Sequence, residues 1–404
     1  MTHQGIIPPY LLDTVATRCD GEVAARAAFT RQIEQTLRAR REVKATPPTW
    51  PERSRDGGAD GPRGENQGGP SIVPPHLRSR VNPRAAAPKP RRETAADSES
   101  AVPSPSTTPA TPQRSVHDAR HGSSLPGELE RAEGDAAVSD ESVNEAYDGL
   151  GATWRLLYEV YGRDSLDGRG LPLVATVHYE RGYDNAFWNG EQMVFGDGDG
   201  EIFASFTDSV DVIGHELAHG LTQYTSGLIY LAQAGALNES ISDVFGVLTT
   251  QYTAGQSADE ADWLIGAQLF RPGVKGVALR SMKAPGTAYD DPRLGADPQP
   301  AHMRDYQDLP HDDSGDNGGV HINSGIPNHA FYLFANALGG KAWERAGQVW
   351  YDTIMQQRLP KDAQFATFAA ATRTAAETRY GRGDVVDALT AAWAGVGVDG
   401  QGWP

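Results

Sequence analysis

The chain has 404 residues and a formal net charge of −17, long enough for two or three domains. The charge is uneven, +5 over residues 1–114 and −22 over the rest. An acidic body argues against nucleic acid as a partner, and a basic leader beside it fits either mutual attraction or two unrelated biases of composition. A single cysteine, Cys19, rules out a disulfide framework and leaves the body without a thiol ligand or nucleophile. No stretch is apolar over a membrane-spanning length, and the first residues lack the basic and apolar regions of a standard secretory signal.

Residues 1–45 begin with a short apolar run, Ile6-Ile7-Pro8-Pro9-Tyr10-Leu11-Leu12. A helical stretch follows, with Val23, Ala24, Ala27, Phe29, Ile33 and Leu37 near helical spacing. Residues 46–114 hold 14 of the chain's 27 prolines and little apolar periodicity, the composition of a disordered or extended linker. Order is expected again from Ser115. Residues 142–162 read as a helix with Val143, Ala146, Leu150, Trp154, Leu157 and Val160 on its apolar side. Strands are expected at 173–179 and 192–195. Gly196-Asp197-Gly198-Asp199-Gly200 suits a tight turn better than a calcium loop, because the ligand spacing and the distal Glu of an EF-hand are missing. A helix is expected after Asp208, as N-cap, with Val212, Ile213, Leu217 and Leu221 as its apolar surface. Beyond Tyr224 the pattern is mostly helical, clearest at 363–378 and 385–394. The fold class is α+β: a β-rich lobe at 115–224, a helical lobe at 225–404, and the helix around residue 215 between them, where clefts form.

That helix carries His215-Glu216-Leu217-Ala218-His219. Residues four apart share a helix face, so both imidazoles can meet one metal ion while Glu216 is left to act as a base. A catalytic zinc takes three protein ligands and keeps one position for water. Glu239 is the candidate third ligand, because a buried carboxylate among small and apolar neighbours needs a partner. Asp243, one turn on, suits the second nitrogen of His215.

These segments resemble the thermolysin-like zinc metallopeptidases. The resemblance rests on His215 to Gly220, on Gly235-Ala236-Leu237-Asn238-Glu239-Ser240-Ile241-Ser242-Asp243-Val244-Phe245-Gly246, on residues 182–190 (Gly-Tyr-Asp-Asn-Ala-Phe-Trp-Asn-Gly) and on residues 316–325 (Asp-Asn-Gly-Gly-Val-His-Ile-Asn-Ser-Gly). Together they span about residues 115–404. The leader's Ile7, Pro8, Pro9, Tyr10 and Leu11 resemble the short inhibitory propeptide of the protealysin-like branch, with no cysteine nearby to plug a metal.

The resemblance implies one catalytic zinc on His215, His219 and Glu239, with Glu216 as proton carrier. It implies Tyr230 and His321 as oxyanion donors, Asp316 orienting His321, and Arg280 holding a substrate carbonyl. Asn185 and Ala186 would pair with the substrate main chain. Phe203, Phe206, Val212, Ile265 and Leu279 would line the pocket just beyond the scissile bond, favouring bulky apolar residues there. Asp211 and Asp262 remain from the family's double calcium site, but Thr250, Leu264 and Ala267 stand where further acidic ligands or their neighbours are expected. The double site is therefore expected to be absent or reduced, with room for one weak calcium ion. Expected partners are protein or peptide substrates and the chain's own propeptide in cis, with a separate proteinaceous inhibitor also compatible. The expected state is a monomer, exported without a standard signal or else retained in the cytoplasm. Two other readings are a zinc hydrolase of non-peptide amides and an inactive binding protein whose leader stays docked.

Overall fold

The computed structural model describes residues 4–45, 110–356 and 359–398. The linker expected at 46–114 lies outside them except for its end. There Arg114 already belongs to strand β2 (Arg114–Asp118), so the body begins before Ser115. Arg114 is ion-paired to Glu133 and its guanidinium lies over the Tyr147 ring.

The leader contributes strand β1 (Gln4–Gly5) and helices α1 (Pro9–Arg18) and α2 (Gly21–Ala45). Pro8 is the N-cap of α1 and Pro9 its first residue, where a missing N–H costs nothing. The two prolines therefore start a helix as well as stiffening the extended segment before it. Helix α2 buries Val23, Ala27, Thr30, Arg31 and Glu34, whereas Phe29, expected on its apolar side, is 38% exposed.

Strands β3 (Glu128–Ala132), β4 (Leu173–Val177), β5 (Ala186–Trp188) and β6 (Met193–Phe195) complete a six-stranded sheet with β1 and β2. Its order is β1-β5-β6-β4-β2-β3, so the leader's strand forms an edge beside β5. The Gly/Asp-rich segment is a turn: Asp199 accepts from the backbone N–H groups of Glu201, Ile202 and Phe203. Helix α3 (Glu141–Arg155), continued by a wider turn at Leu156–Val160, packs on the sheet through Val143, Ala146, Leu150 and Trp154.

Helices α4 (Val210–Tyr224) and α5 (Ala232–Ala254) form the centre. The N-cap of α4 is Ser209, one residue after the expected Asp208, and its hydroxyl donates to Asp211. The two helices cross closely because both are glycine at the contact. A β-carbon on Gly246 would lie 2.5 Å from the Asp211 carbonyl oxygen, and one on Gly214 3.1 Å from the Gly246 α-carbon. The short pair β7 (Leu264–Ile265) and β8 (Arg280–Ser281) follows, then the pair β9 (Asp290–Asp291) and β10 (Gly295–Ala296). The helical lobe closes with α6 (Asp316–Asn323), α7 (Gly325–Leu338), α8 (Arg345–Ile354), α9 (Phe365–Tyr380) and α10 (Asp384–Gly395).

His178, just past β4, ties this layer together. Its two ring nitrogens donate to Asp197 at 2.7 Å and Asp140, the α3 N-cap, at 3.0 Å. The bond to Asp197, offset partly by burial and reinforced by Asp140, raises the imidazolium to about 9 from the usual 6.5. The protonated form is therefore favoured on folding. Its contribution is complete below about pH 6.5 and is lost as pH rises through about 9. His178→Asn should cost about 2 kcal/mol at pH 6, less at pH 9.5, and flatten this part of the stability profile. Thermal melts of wild type and variant across that range test it.

Candidate active site

Helix α4 presents His215 and His219 one turn apart, and α5 faces them with Glu239 and Asp243, also one turn apart. All four side chains are buried. His215 Nδ1 donates to Asp243 Oδ1 at 2.7 Å. His219 Nδ1 donates to Asn238 Oδ1 at 2.9 Å, and that amide is fixed in turn by its own bond to the Leu228 carbonyl. Burial, only partly opposed by the Glu239 charge, lowers His219 to about 4, so its ring is neutral.

With both Nδ1 atoms carrying protons, the two Nε2 lone pairs point at each other across 3.1 Å. Glu239 adds its carboxylate at 3.5 Å from His215 Nε2 and 3.4 Å from His219 Nε2. Glu239 Oε2 is buried with no hydrogen-bond partner. Three electron-pair donors converging in a dry interior repel unless a cation lies between them. Two imidazoles and a carboxylate are a zinc donor set. Among the described residues, His215, His219 and Glu239 form the constellation able to hold a metal ion.

Asp243 is held on several sides. Arg280 donates to it through Nε at 2.9 Å and Nη2 at 2.7 Å, and Asn328 Nδ2 at 2.8 Å. Burial would raise this carboxyl, but Arg280 and His215 outweigh it and hold the group well below the carboxylate range. Asp243 thus accepts from His215 and from Arg280 at once.

Glu216 projects from α4 beside the two histidines. Its Oε2 accepts from the Trp188 backbone N–H at 2.9 Å, while Oε1 is buried without a partner. Burial, reinforced by the Glu239 charge, raises its carboxyl well above the usual range.

Tyr230 donates to Glu239 and lies 3.1 Å from His321 Nε2. Asp316 accepts from His321 twice, from Nδ1 at 2.7 Å and from the backbone N–H at 2.8 Å. That chelation needs an unusual backbone: residues 316–319 all have φ between 53° and 85°. Two glycines supply half of this left-handed turn at no steric cost, and Asp316 and Asn317 are residue types that tolerate it. Burial lowers the His321 imidazolium, but Asp316 and Glu239 overcome this and raise it above its ordinary value.

The groups expected to bind a substrate main chain are already engaged, by the leader. Strand β1 pairs antiparallel with β5, Gln4 opposite Trp188 and Gly5 opposite Phe187. The Ile6 N–H donates to the Ala186 carbonyl at 3.1 Å and the Ile7 N–H to Asn185 Oδ1 at 2.9 Å. Arg280 Nη1 donates to the Ile6 carbonyl and Asn185 Nδ2 to that of Ile7, both at 3.2 Å. Phe203, Phe206, Val212, Ile265 and Leu279 are buried in the continuous apolar cluster that also takes in Ile6, Ile7, Leu11 and Leu12.

Asp211 accepts from the Ser209 hydroxyl and the Gly266 N–H, and Asp262 accepts from the Leu264 N–H.

Three contacts escaped the sequence reading. Asn238 precedes the candidate ligand directly, but adjacent helix residues project about 100° apart, so that position alone did not mark it as the partner of His219. Asn328 gives no local signal. Nor does Glu34, whose carboxylate accepts from Asn185 Nδ2 at 3.0 Å and from the Tyr183 hydroxyl at 2.5 Å.

The Asp243 network makes a quantitative prediction. Asp243→Asn keeps the shape but loses the acceptor charge on His215, so zinc affinity should fall about 10–100-fold. Competition against a chelator measures this, with circular dichroism to show that the fold survives.

Residues 107–223 match the thermolysin metallopeptidase catalytic domain, and residues 226–398 the alpha-helical domain of the same enzymes. The chain is 54% identical over 286 residues to an extracellular metalloprotease of Pectobacterium carotovorum subsp. carotovorum, covering 71% of this chain and 81% of that one. It is 38% identical over 294 residues to a thermolysin of Alicyclobacillus acidocaldarius, covering 70% of this chain and 50% of that one. Among solved structures, the precursor of protealysin, a metalloproteinase from Serratia proteamaculans, superposes with a TM-score of 0.77 at 44% identity, covering 98% of this chain and 99% of that one. With its zinc donor set on the two central helices, the chain belongs to the thermolysin family of zinc metallo-endopeptidases, and is protealysin-like within it.

Proposed function

We propose that this chain is a latent form of the enzyme, held inactive in cis by its own leader. The observation that carries this reading is main-chain pairing. Residues 5–7 of the leader engage His321, Arg280, Asn185 and Ala186, the groups assigned to a peptide substrate. A peptide adding one strand to an open sheet edge gains affinity from main-chain bonds and specificity from alternate side-chain pockets. While β1 lies beside β5, another peptide cannot.

The chemistry assigned to the uncovered site follows from the donors present. Zinc on His215, His219 and Glu239 supplies a Lewis acid that acidifies water and polarises a carbonyl. Glu216 has one oxygen fixed by Trp188 and the other unpartnered, which suits it to take a proton from water and pass it to the leaving nitrogen. Tyr230 and His321, which meet beside Glu239, are assigned as donors to the oxygen of the attacked carbonyl. With Nδ1 bonded to Asp316, His321 donates from Nε2 in its protonated state, the form its surroundings favour. Phe203, Phe206, Val212, Ile265 and Leu279, all buried, support a preference for a bulky apolar residue just after the scissile bond. Relatives named as extracellular proteases support release from the cell, and no described helix is long and apolar enough to cross a membrane.

Glu216→Gln tests the assignment. The variant should bind one zinc ion per chain but neither process itself within or just after residues 46–114 nor cleave casein, with a rate loss of about 10²–10⁴-fold. Wild type freed of its leader should cleave casein faster than the intact chain. A Glu216→Gln chain with unreduced activity would sink the reading.

A further inference from the structure

The leader covers the cleft, and its main chain pairs there with the groups assigned to a substrate. We propose that Gly5–Ile6 is a cleavage site: the zinc-loaded enzyme cuts this bond in its own chain, and the trimmed leader, now starting at Ile6, stays docked. This rests on the catalytic roles proposed above.

The register selects the bond. Of the three successive leader carbonyls, that of Ile6 faces Arg280 and that of Ile7 faces Asn185, groups assigned to binding and not to proton transfer. The Gly5 carbonyl alone meets His321, with Nε2 at 3.2 Å, in the corner shared with Tyr230 and Glu239. The opposing strand also brings the base. Gln4 pairs with Trp188, whose N–H holds Glu216 with its other oxygen unpartnered. The acceptor carbonyl, its hydrogen-bond donor and the proton carrier therefore gather around one amide.

Residue 5 also fixes that register. A β-carbon there would lie 2.7 Å from Asn185 Nδ2 and 3.2 Å from the Ala186 carbonyl oxygen. The Asn185 amide cannot easily withdraw, because Glu34 and Ile7 both hold it. Sliding the leader by one residue would force Ile6 or Gln4 into this gap, so Gly5 is the residue that admits the chain to the cleft at this depth.

The hydrolysis balances with water alone. A water oxygen bonds to the Gly5 carbonyl carbon, Glu216 takes its proton, the bond to the Ile6 nitrogen breaks, and the proton passes to that nitrogen. The products are a peptide acid ending at Gly5 and a chain beginning with the Ile6 amine. Among the described residues, the departing side is held by the pairing of Gln4 and Gly5 with β5 and by the contact of the Gly5 carbonyl with His321. The retained side keeps the bonds of Ile7, the buried Leu11 and Leu12, and the α2 contacts of Arg26 with Asp184, Arg31 with Asp313 and Glu34 with Tyr183. The cut is therefore a single turnover that leaves inhibition in place, separate from maturation in or after residues 46–114.

Intact-mass analysis and N-terminal sequencing of the full chain after zinc loading test this. A new N-terminus at Ile6, appearing at a rate independent of protein concentration and absent in Glu216→Gln, is the expected result. A second measurement needs no activity. In zinc-free protein, hydrogen exchange at the Ile6 and Ile7 amides should be slow, and Gly5→Val should speed it about tenfold or more without changing the melting of the catalytic body. If leader-freed enzyme cleaves casein but no chain starting at Ile6 ever forms, the cleavage proposal is overturned and the protease reading stands. If Glu216 proves dispensable for casein cleavage, the parent reading fails first. Unprotected Ile6 and Ile7 amides in wild type would overturn the register itself.

Discussion

Two imidazole lone pairs and a carboxylate aimed at one point inside the protein are a repulsive arrangement that a metal ion makes attractive. Much of the rest of the structure holds that arrangement in place. The glycine contact between α4 and α5 brings the helices near enough for side chains on one to reach ligands on the other. Asp243 and Asn238 fix the tautomers by occupying the Nδ1 atoms, so that the lone pairs face inward. Asp243 can stay ionised in a buried position because Arg280 is paired with it, and truncating one partner of such a pair typically costs 3–5 kcal/mol, about as much as many domains can spare. The metal site and the core are thus one structure, and a change made for catalysis is also felt in stability.

Arg280 links that network to the cleft. Two of its nitrogens hold Asp243 and a third donates to the Ile6 carbonyl. The leader is therefore read by a group whose position is set by the histidine supports, which couples the geometry of the metal ligands to that of the bound main chain. Helix α2 adds a layer of different chemistry. Its Glu34 takes the Asn185 amide and the Tyr183 hydroxyl, its Thr30 receives the Asp184 N–H, and its Arg26 pairs with Asp184. The strand copies what any peptide would do, whereas α2 grips the outer side of the same loop with contacts particular to this chain.

How much of this could be read from the sequence depended on whether the information was local. The His-Glu-x-x-His spacing maps onto one helix face by geometry alone, so α4 and its ligands were legible, and Asp243 followed from its one-turn offset to Glu239. The helical lobe was legible for the same reason, with α9 and α10 within two residues of expectation. Long-range partners were not. Asn328 reaches Asp243 across 85 residues, and Glu34 reaches Asn185 across 151, and nothing local marks either. Strand β3 was missed because Glu128–Ala132 is too polar to alternate visibly. Phe29 was misplaced because α2 buries polar residues, Thr30, Arg31 and Glu34, in place of an unbroken apolar stripe. The helix that starts at Pro9 was not legible in the short apolar run, although the fixed φ of proline suits the first turn of a helix.

The placement of that helix start bears on how a few residues can close a cleft. Four extended residues, 4–7, make only a handful of main-chain bonds, each worth about 0.5–1.5 kcal/mol net, too little to compete with substrate if they had to bind from solution. Pro8 ends the extended segment and Pro9 turns the chain into α1, whose Leu11, Leu12 and Val15 are buried. Helix α2 then returns to the edge of the cleft and fastens Asn185 from outside. The strand is therefore delivered by a docked pair of helices, and the ordering entropy that a free peptide would lose on binding is already offset by their packing. An inhibitor built this way does not depend on the strength of its contacts at the reacting centre. Its inhibitory segment can resemble a substrate closely, even to the bond presented to the catalytic groups, because the helices and not the strand decide whether it leaves.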